Sequence, residues 1–424
     1  MWDFSTEPEF QEKLDWIERF MEDEVYPLET LDLTPDQLLR ATAPLKQQVK
    51  DAGLWACHLD PELGGQGFGQ MKLALMNETI GRSLILAPPI FGSQAPDSGN
   101  AEILAIAGTD EQKDRWLWPL LDGSLRSCYS MTEPGAGSDP TLLTTRAVRD
   151  GDEWVINGHK WFSSRAAKAD IIIVMCVTDP EQPPISRMSM FVVPADAPGV
   201  NVVREVGVLG LGEAHHAEVI YDNVRVPADH LLGDEGGAFV IAQKRLGPGR
   251  IHHCMRWLGQ GRRAFDMLCE RALTRVTHGS VLSEKQTIQN WIADSYAEMQ
   301  AARLMTLHAA WTIDQRGTSK ARTEIAAIKF FGAKVLHDVI DRAMQIHGSL
   351  GMSNDLPLET MYRHARVARV VDGPDEVHRV TVARRVLKGY KPHDGLWPRE
   401  HIPTRRQAAR QKFAALLDEA TSDL

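Results

Sequence analysis

Apolar residues recur at helical spacing over residues 10–25, where Phe10, Leu14, Ile17, Phe20 and Met21 are separated by Glu, Lys and Asp. This is the pattern of an amphipathic helix with one face turned to a core. Pro27 is expected to end that run. Thr34-Pro35-Asp36-Gln37 reads as a helix start, with Thr as cap and Pro in the first turn. Residues 60–69, Asp-Pro-Glu-Leu-Gly-Gly-Gln-Gly-Phe-Gly, read as a loop. Helical patterns resume over residues 71–84 and 100–107, and Thr109-Asp110-Glu111-Gln112 reads as the capped start of a further helix reaching residue 121. Residues 1–126 therefore read as an N-terminal helical domain.

From residue 125 the period changes from helical to alternating. Residues 154–162 predict a hairpin turning at Asn157-Gly158. Residues 171–177 and 189–193 are short β-branched runs, and residues 219–226, with Asp222-Asn223 inside, read as a strand pair or one bulged strand. Residues 127–235 thus form a middle β-domain. Beyond it, long helices are expected over residues 238–273, 283–315 and 323–350, and a shorter one over 377–387. Gly247-Pro248-Gly249 is expected to kink the first of these. Residues 236–391 make a C-terminal helical domain. Residues 392–424 form an extension, with a linker over 392–403 and a helix over 404–417 whose first half is basic. The order α, β, α suggests two helical blocks sharing a core, with the β-domain alongside.

Composition narrows the classes. The 424 residues are 43% hydrophobic and 25% charged, as in an ordinary globular chain long enough for two or three domains. A formal net charge of −10 argues against a nucleic-acid binder, which would carry a basic face. The five cysteines form no C-x-x-C pair, which suits buried thiols in a reducing compartment. No apolar run reaches the length of a membrane span, and the N-terminus lacks the pattern of a secretory signal. A soluble intracellular protein is expected.

Three stretches could carry chemistry. Asp372-Gly373-Pro374-Asp375-Glu376 breaks a helical pattern. It places Asp372 after apolar Val370 and Val371, where a carboxylate is expected to have a raised pKa and to serve as a base. The stretch alone leaves open a solvated turn capping the next helix. Residues 128–139, Cys-Tyr-Ser-Met-Thr-Glu-Pro-Gly-Ala-Gly-Ser-Asp, run from a strand into a Gly-rich loop whose N–H groups could cradle an anion or a flat polar ring. It is neither a phosphate-binding Gly-Lys-Ser/Thr loop nor a dinucleotide fingerprint, and a plain turn is the alternative. In Trp161-Phe162-Ser163-Ser164, strand alternation puts Phe162 and Ser164 on one face, able to flank a flat cofactor. His215-His216 and His252-His253 lack a Cys or carboxylate at ligand spacing, so no metal site is read. No G-x-S-x-G elbow marks a serine hydrolase.

Taken together, Tyr129-x-Met-Thr-Glu-Pro-Gly-Ala-Gly-Ser-Asp, Ile156-Asn-Gly-x-Lys-x-Phe-Ser-Ser, Gln345-Ile-His-Gly348 and Asp372-Gly373, in this order, resemble the acyl-CoA dehydrogenase family. The likeness extends over residues 10–390. Asp-Gly-Pro-Asp-Glu-Val-His resembles a branch that includes forms fused to kinase-like domains. The resemblance implies a helical N-terminal bundle, a middle β-barrel-like domain and a C-terminal four-helix bundle. It also implies an FAD enzyme oxidising an acyl-CoA thioester to a trans-2-enoyl-CoA, with α-proton removal by a carboxylate and hydride transfer to flavin N5. By motif, Asp372 is the candidate base, and its N–H and Gly373 would meet the thioester. Tyr129, Met131, Thr132, Gly137, Ser138, Phe162 and Ser164 would contact FAD, as would Glu376. Ser138 and Arg250 would also meet the substrate. Arg275 and Thr277, opposite Gln345 and Gly348 of a second subunit, would hold the FAD pyrophosphate, so a homodimer or homotetramer is expected. The electron acceptor would be an electron-transfer flavoprotein.

The sequence departs from the family pattern at several points. The common base is Glu, and Asp is shorter by about 1.5 Å, where misplacement of about 1 Å can cost roughly a hundredfold in rate. Pro374 stands where Thr is frequent, Glu376 where Gln is common, and Phe162 where Trp is frequent. Gly249 occupies the place of an alternative Glu base. A same-fold acyl-CoA or nitroalkane oxidase using O2, or a hydroxyacyl-CoA dehydratase or lyase, are the rival readings.

Overall fold

A computed structural model describes the backbone of residues 6–209 and 212–417 and the side chains of these residues except 212–215. The chain divides into two units, residues 1–379 and 380–424. In the first, the longer helices are α1 (Pro8–Phe20), α2 (Pro35–Asp51), α3 (Gly69–Ile80), α4 (Asp97–Ala107), α5 (Ala238–Thr274), α6 (Gln286–Arg316), α7 (Arg322–His347) and α8 (Leu358–Ala368). Helix α9 (Asp375–Leu387) begins in this unit.

The helix starts follow local chemistry. Thr34 and Gln37 close a reciprocal capping box at α2, and Thr109 and Gln112 close another, each satisfying two otherwise orphaned donors. Pro27 does not end the first helix, contrary to the sequence reading. The chain widens into a π-turn, Met21–Val25, and continues as Tyr26–Glu29. Pro27 sits in the first turn of that new segment, the helical position at which proline is best tolerated. Pro248 lies inside α5, which continues through it as one 37-residue helix. Helix α8 was not read from sequence. Its buried face, Leu358, Met361, Ala365 and Ala368, has clear helical spacing, and it supplies the segment from which Asp372 projects.

Strands β1 (Ser127–Ser130), β2 (Arg146–Asp150), β3 (Glu153–Ser164), β4 (Ile171–Val177), β5 (Met188–Pro194), β6 (Val200–Val208), β7 (Gly212–Pro227) and β8 (Leu231–Leu232) form one sheet in the order β6-β7-β3-β2-β4-β5-β8, with β1 parallel to β4. Strand β3 runs straight through Asn157-Gly158, so the expected hairpin turn is not there. The turn between β2 and β3 lies at residues 151–152, where Gly151 has φ +62°. Asn157 instead opens a bulge against β7. Gly158 is required for packing: a Cβ would lie 2.3 Å from Thr145 Oγ1. β7 is a single bulged strand with Asn223 at φ 51°, one of the two forms its sequence allowed.

Helices α5 to α8 share one apolar core that includes Ile251, Cys254, Leu336, Val339 and Met361. The sheet buries a second around Ile172, Val174, Phe191 and Tyr221. Cys57, Cys128, Cys176 and Cys254 are free and buried, and Cys269 is half-buried. Among the described residues, no helix is long and apolar enough to cross a membrane. In the second unit, helix α10 (Ile402–Lys412) buries none of its residues, and Trp397 stacks on His401 with centroids 4.7 Å apart.

Replacing Gly158 by Ala drives a methyl into Thr145. We expect a loss of about 1–3 kcal/mol, read as a lowered denaturation midpoint. An unchanged midpoint would mean that β2 and β3 separate freely here.

Candidate active site

The break after α8 has an unusual backbone. Asp372 lies at φ 53° and Gly373 at φ 98°, the left-handed region that residues with a Cβ seldom occupy. A Cβ on Gly373 would approach His378 Nε2 to 3.0 Å, so glycine is needed for space as well as for angle. The turn is held from three sides. The Arg250 guanidinium donates to the Asp372 carbonyl through Nε (3.2 Å) and Nη2 (3.0 Å), and His378 Nε2 lies 3.1 Å from the same oxygen. A carbonyl only accepts, so His378 carries its proton on Nε2. Lys329, buried at 1% exposure, donates to the carbonyls of Ala368 (2.7 Å) and Gly373 (3.1 Å). With these carbonyls turned inward, the N–H groups of Asp372 and Gly373 find no acceptor among the described residues.

The Asp372 side chain is about a fifth exposed. Its Oδ2 is buried without a hydrogen-bond partner and stands 3.4 Å from His253 Nε2. Burial raises this carboxyl, but His253, Arg245, Arg250 and Lys329 outweigh it and hold the carboxyl below the usual range. This corrects the sequence expectation of a raised pKa. The flanking Val370 and Val371 are on a turn, while α5 and α7 bring cations that sequence proximity could not show.

Next to His253, which faces Asp372, lies a narrow cleft of about 40 Å³ between α5 and the N-terminal helices. Its lining includes apolar Leu73, Met76, Ile80 and Phe91, but also His58, Glu102, Arg245 and His253. Burial pushes the Glu102 carboxyl up to about 7, and His58 Nε2 is buried with no partner. Tyr129 of β1 lies within the fields of Arg245 and Asp372, which ties the Gly-rich loop to this cleft.

That loop is anchored from beneath. Glu133, 4% exposed, receives Lys160 Nζ (2.9 Å), the N–H and hydroxyl of Thr144 (2.8 and 2.7 Å) and the N–H of Thr145 (2.8 Å). Burial raises its carboxyl, but Lys160 and the threonine donors bring it down to about 2. Lys160, fully buried, also donates to the Met131 carbonyl (2.8 Å), and Trp161 N–H donates to the Thr132 carbonyl (3.0 Å). Glu133 and Ala136 close a tight turn over Pro134-Gly135. The N–H groups of Thr132, Gly135, Gly137 and Ser138 are left without a protein acceptor among the described residues. The expected alternation of Phe162 and Ser164 is interrupted, because Phe162 (φ 50°) sits in a bulge. Both still adjoin His216, Phe162 with centroids 5.8 Å apart and Ser164 Oγ 2.9 Å from Nδ1. Phe162 leaves 40% of its surface exposed. A bare aromatic face beside free N–H donors suits a flat ring with a polar edge.

The remaining positions lie on other elements. Arg275 precedes a short hairpin, β9 (Val276–Thr277) with β10 (Ser280–Val281), that contains Thr277. Gln345 and Gly348 are exposed at the C-terminal end of α7. None of the four is bonded to the Asp372 cluster. Glu376 is exposed in the first turn of α9, whereas its neighbour Asp375 is buried against Arg369 (2.8 Å). Sequence reasoning missed His253, Lys329, His378, Glu133 and Lys160. Glu133, Lys160 and His378 stood within quoted motifs and His253 was weighed only as a metal ligand, but nothing in the spacing showed that Lys329 or His253 would meet Asp372.

Three family profiles match the chain: the acyl-CoA dehydrogenase N-terminal domain over residues 7–124, the middle domain over 128–224 and the C-terminal domain over 236–387. The chain belongs to the acyl-CoA dehydrogenase family. It is a flavin-dependent oxidoreductase acting on acyl-CoA. It is 47% identical over 351 residues to Mycobacterium tuberculosis FadE2, assigned as an acyl-CoA dehydrogenase, covering 82% of this chain and 86% of that one. It is 43% identical over 347 residues to acyl-CoA dehydrogenase family member 11 of Gallus gallus, covering 80% of this chain but 44% of that protein. A solved structure from Mycobacterium abscessus, assigned to the same enzymes, superposes with a TM-score of 0.86 at 40% identity, over 92% of this chain and all of that one.

Lys160→Met would leave the Glu133 carboxylate buried without its counter-ion. We expect a loss of about 3–5 kcal/mol at neutral pH. The carboxyl is depressed, so the pair's contribution is present above the unfolded carboxyl range and fades as pH falls toward 2. The deficit of the variant, measured by denaturant unfolding, should narrow in acid. A deficit independent of pH would place the effect in packing.

Proposed function

We propose that the chain catalyses α,β-dehydrogenation of an acyl-CoA thioester, with Asp372 as the base that removes the α proton. The observation that carries this reading is the buried, unpartnered Oδ2 of Asp372 near a cleft. Its backbone N–H is also unengaged and available to a thioester oxygen. A donor on that oxygen acidifies the α carbon, and a base on the same turn collects the proton. Arg250 fixes the turn rather than touching the carboxylate itself.

FAD is the cofactor that this site suits. Its isoalloxazine ring would be held by Tyr129, Met131 and Thr132, by Phe162 and Ser164 on β3, and by the free N–H groups of Gly137 and Ser138. Bound there, it supplies the acceptor for the hydride from the β carbon. The shared acyl-CoA dehydrogenase architecture supports a further arrangement in which Arg275 and Thr277 meet Gln345 and Gly348 of a second subunit. Leu273, Val276 and Met352, exposed by 68%, 58% and 70%, lie on those same two surfaces and would be covered in a homo-oligomer. An electron-transfer flavoprotein would reoxidise the enzyme.

The acyl cleft also bears on the substrate. A wholly apolar chain would leave His58 Nε2 unpartnered and the Glu102 carboxyl cut off from water, which is costly for buried polar groups. The lining therefore favours an acyl chain bearing a hydroxyl or another hydrogen-bonding group.

The purified flavin-loaded protein should be titrated anaerobically with saturated and hydroxylated acyl-CoAs of graded length. We expect the visible flavin band to bleach with at least one, most rapidly with a hydroxylated chain, and the rate to fall by at least about a hundredfold in Asp372→Asn. Flavin that no acyl-CoA reduces, or reduction that persists in Asp372→Asn, contradicts this reading.

A further inference from the structure

The side chain that faces Asp372 Oδ2 is an imidazole, and its proton position is fixed by a chain of donors and acceptors. The chain starts at the Leu73 carbonyl, which can only accept. Asn77 Nδ2 donates to it at 2.8 Å, so Asn77 Oδ1 faces the other way and accepts Arg256 Nη1 at 2.7 Å. Arg256 Nη2 lies 3.2 Å from His253 Nδ1. Guanidinium nitrogens carry only donors, so His253 Nδ1 must accept, and the ring proton of neutral His253 sits on Nε2. That nitrogen is the one 3.4 Å from Asp372 Oδ2.

Three further observations fit this order. Arg256 and His253 are three residues apart on α5, hence on one helix face. His253 lies along Trp257, with centroids 6.1 Å apart and planes 27° apart. Burial and Arg256 push His253 below the usual imidazole range, which favours the neutral ring. The 3.4 Å separation is longer than a formed hydrogen bond, as catalytic contacts often are before substrate closes the site.

We infer that His253 is a positioning residue for Asp372: Arg256 locks the imidazole as the Nε2–H tautomer, and that N–H is aimed at Oδ2 of the shortened base. This rests on Asp372 being the base. An Asp side chain has one rotatable bond fewer than Glu and sits on a left-handed residue, so its carboxylate needs a lateral donor to face the substrate. His253 does not carry the proton onward, because Arg256 occupies its other nitrogen. The other groups that act on the carboxylate or on His253 are Arg245, Arg250, Cys254 and Arg256 of α5, Lys329 of α7, His378 of α9 and Tyr129 of β1. His252, the neighbour on α5, is turned to Gln70 at 3.1 Å. None of these donates to Oδ2.

The test uses the flavin-loaded protein with histidine labelled in 15N, and the variants His253→Gln and His253→Phe. The resonances lost in His253→Gln identify His253. We expect a neutral ring protonated on Nε2 at pH 7. Infrared difference spectra, with Asp372→Asn as the blank, then isolate the Asp372 carboxyl. It should titrate about one pH unit higher in His253→Phe, a tenfold change in proton affinity. His253→Gln, which keeps an N–H donor, should restore most of that shift. A ring protonated on Nδ1, an imidazolium, or a carboxyl titration unchanged in His253→Phe overturns the inference. If His253→Phe does not fold, the tautomer of the native protein and the titration of His253→Gln still decide it. Failure of the dehydrogenase reading looks different: flavin reduction would be absent or would survive Asp372→Asn, whatever the His253 ring shows.

Discussion

The geometry of the candidate site depends on one turn held in an unfavourable backbone conformation. Asp372 and Gly373 sit in the left-handed region, where a residue with a Cβ costs of order 1 kcal/mol or more. The cost is offset by Arg250 and His378 on one carbonyl and Lys329 on two others. These groups come from α5, α9 and α7, so the turn keeps its conformation only while these helices are packed around it. Locking the carbonyls leaves the two N–H groups and Oδ2 as the free valences of the turn. An acceptor and two donors left over on this turn, near a cleft, are what the proposed thioester site rests on.

The same device appears in the β-domain. Buried Glu133 and Lys160 hold the underside of the Gly-rich loop, so that the loop's outward N–H groups are left free. In both places a buried charge is used to satisfy backbone groups on one side of a turn and expose those on the other. Neither charge touches the proposed substrate, yet both decide where donors point. The cations around Asp372 also lower its carboxyl, which keeps it ionised in a setting where burial alone would protonate it.

Much of this was legible in the sequence. Helical and alternating periods located the α, β, α order, and Thr34 and Thr109 marked their helix starts by composition alone. The motifs brought forward Asp372, Tyr129, Phe162 and Arg250, and the structure brings Asp372 and Arg250 into contact. The misread features share a cause. Asn157-Gly158 has the composition of a hairpin turn, but Thr145 packs against Gly158 and the strand continues. Val370 and Val371 suggested an apolar setting for Asp372, but its surroundings are set by Arg245, His253 and Lys329, which no local window contains. Pro27 was read as a stop because a π-turn has no sequence signature. Long-range placement of charge, and local irregularity that lets a chain continue, were the parts hidden from periodicity.

The most direct measurement of the central claim isolates proton removal from oxidation. An acyl-CoA with sulfur in place of carbon 3 has no β hydrogen to give up, so only its α proton can move. The flavin-loaded protein, held with this compound in D2O, should exchange the α hydrogens for deuterium, followed by mass spectrometry. The account predicts exchange by the native protein and a loss of at least about a hundredfold in Asp372→Asn. Exchange that persists undiminished in Asp372→Asn would show that another group is the base and would contradict the account.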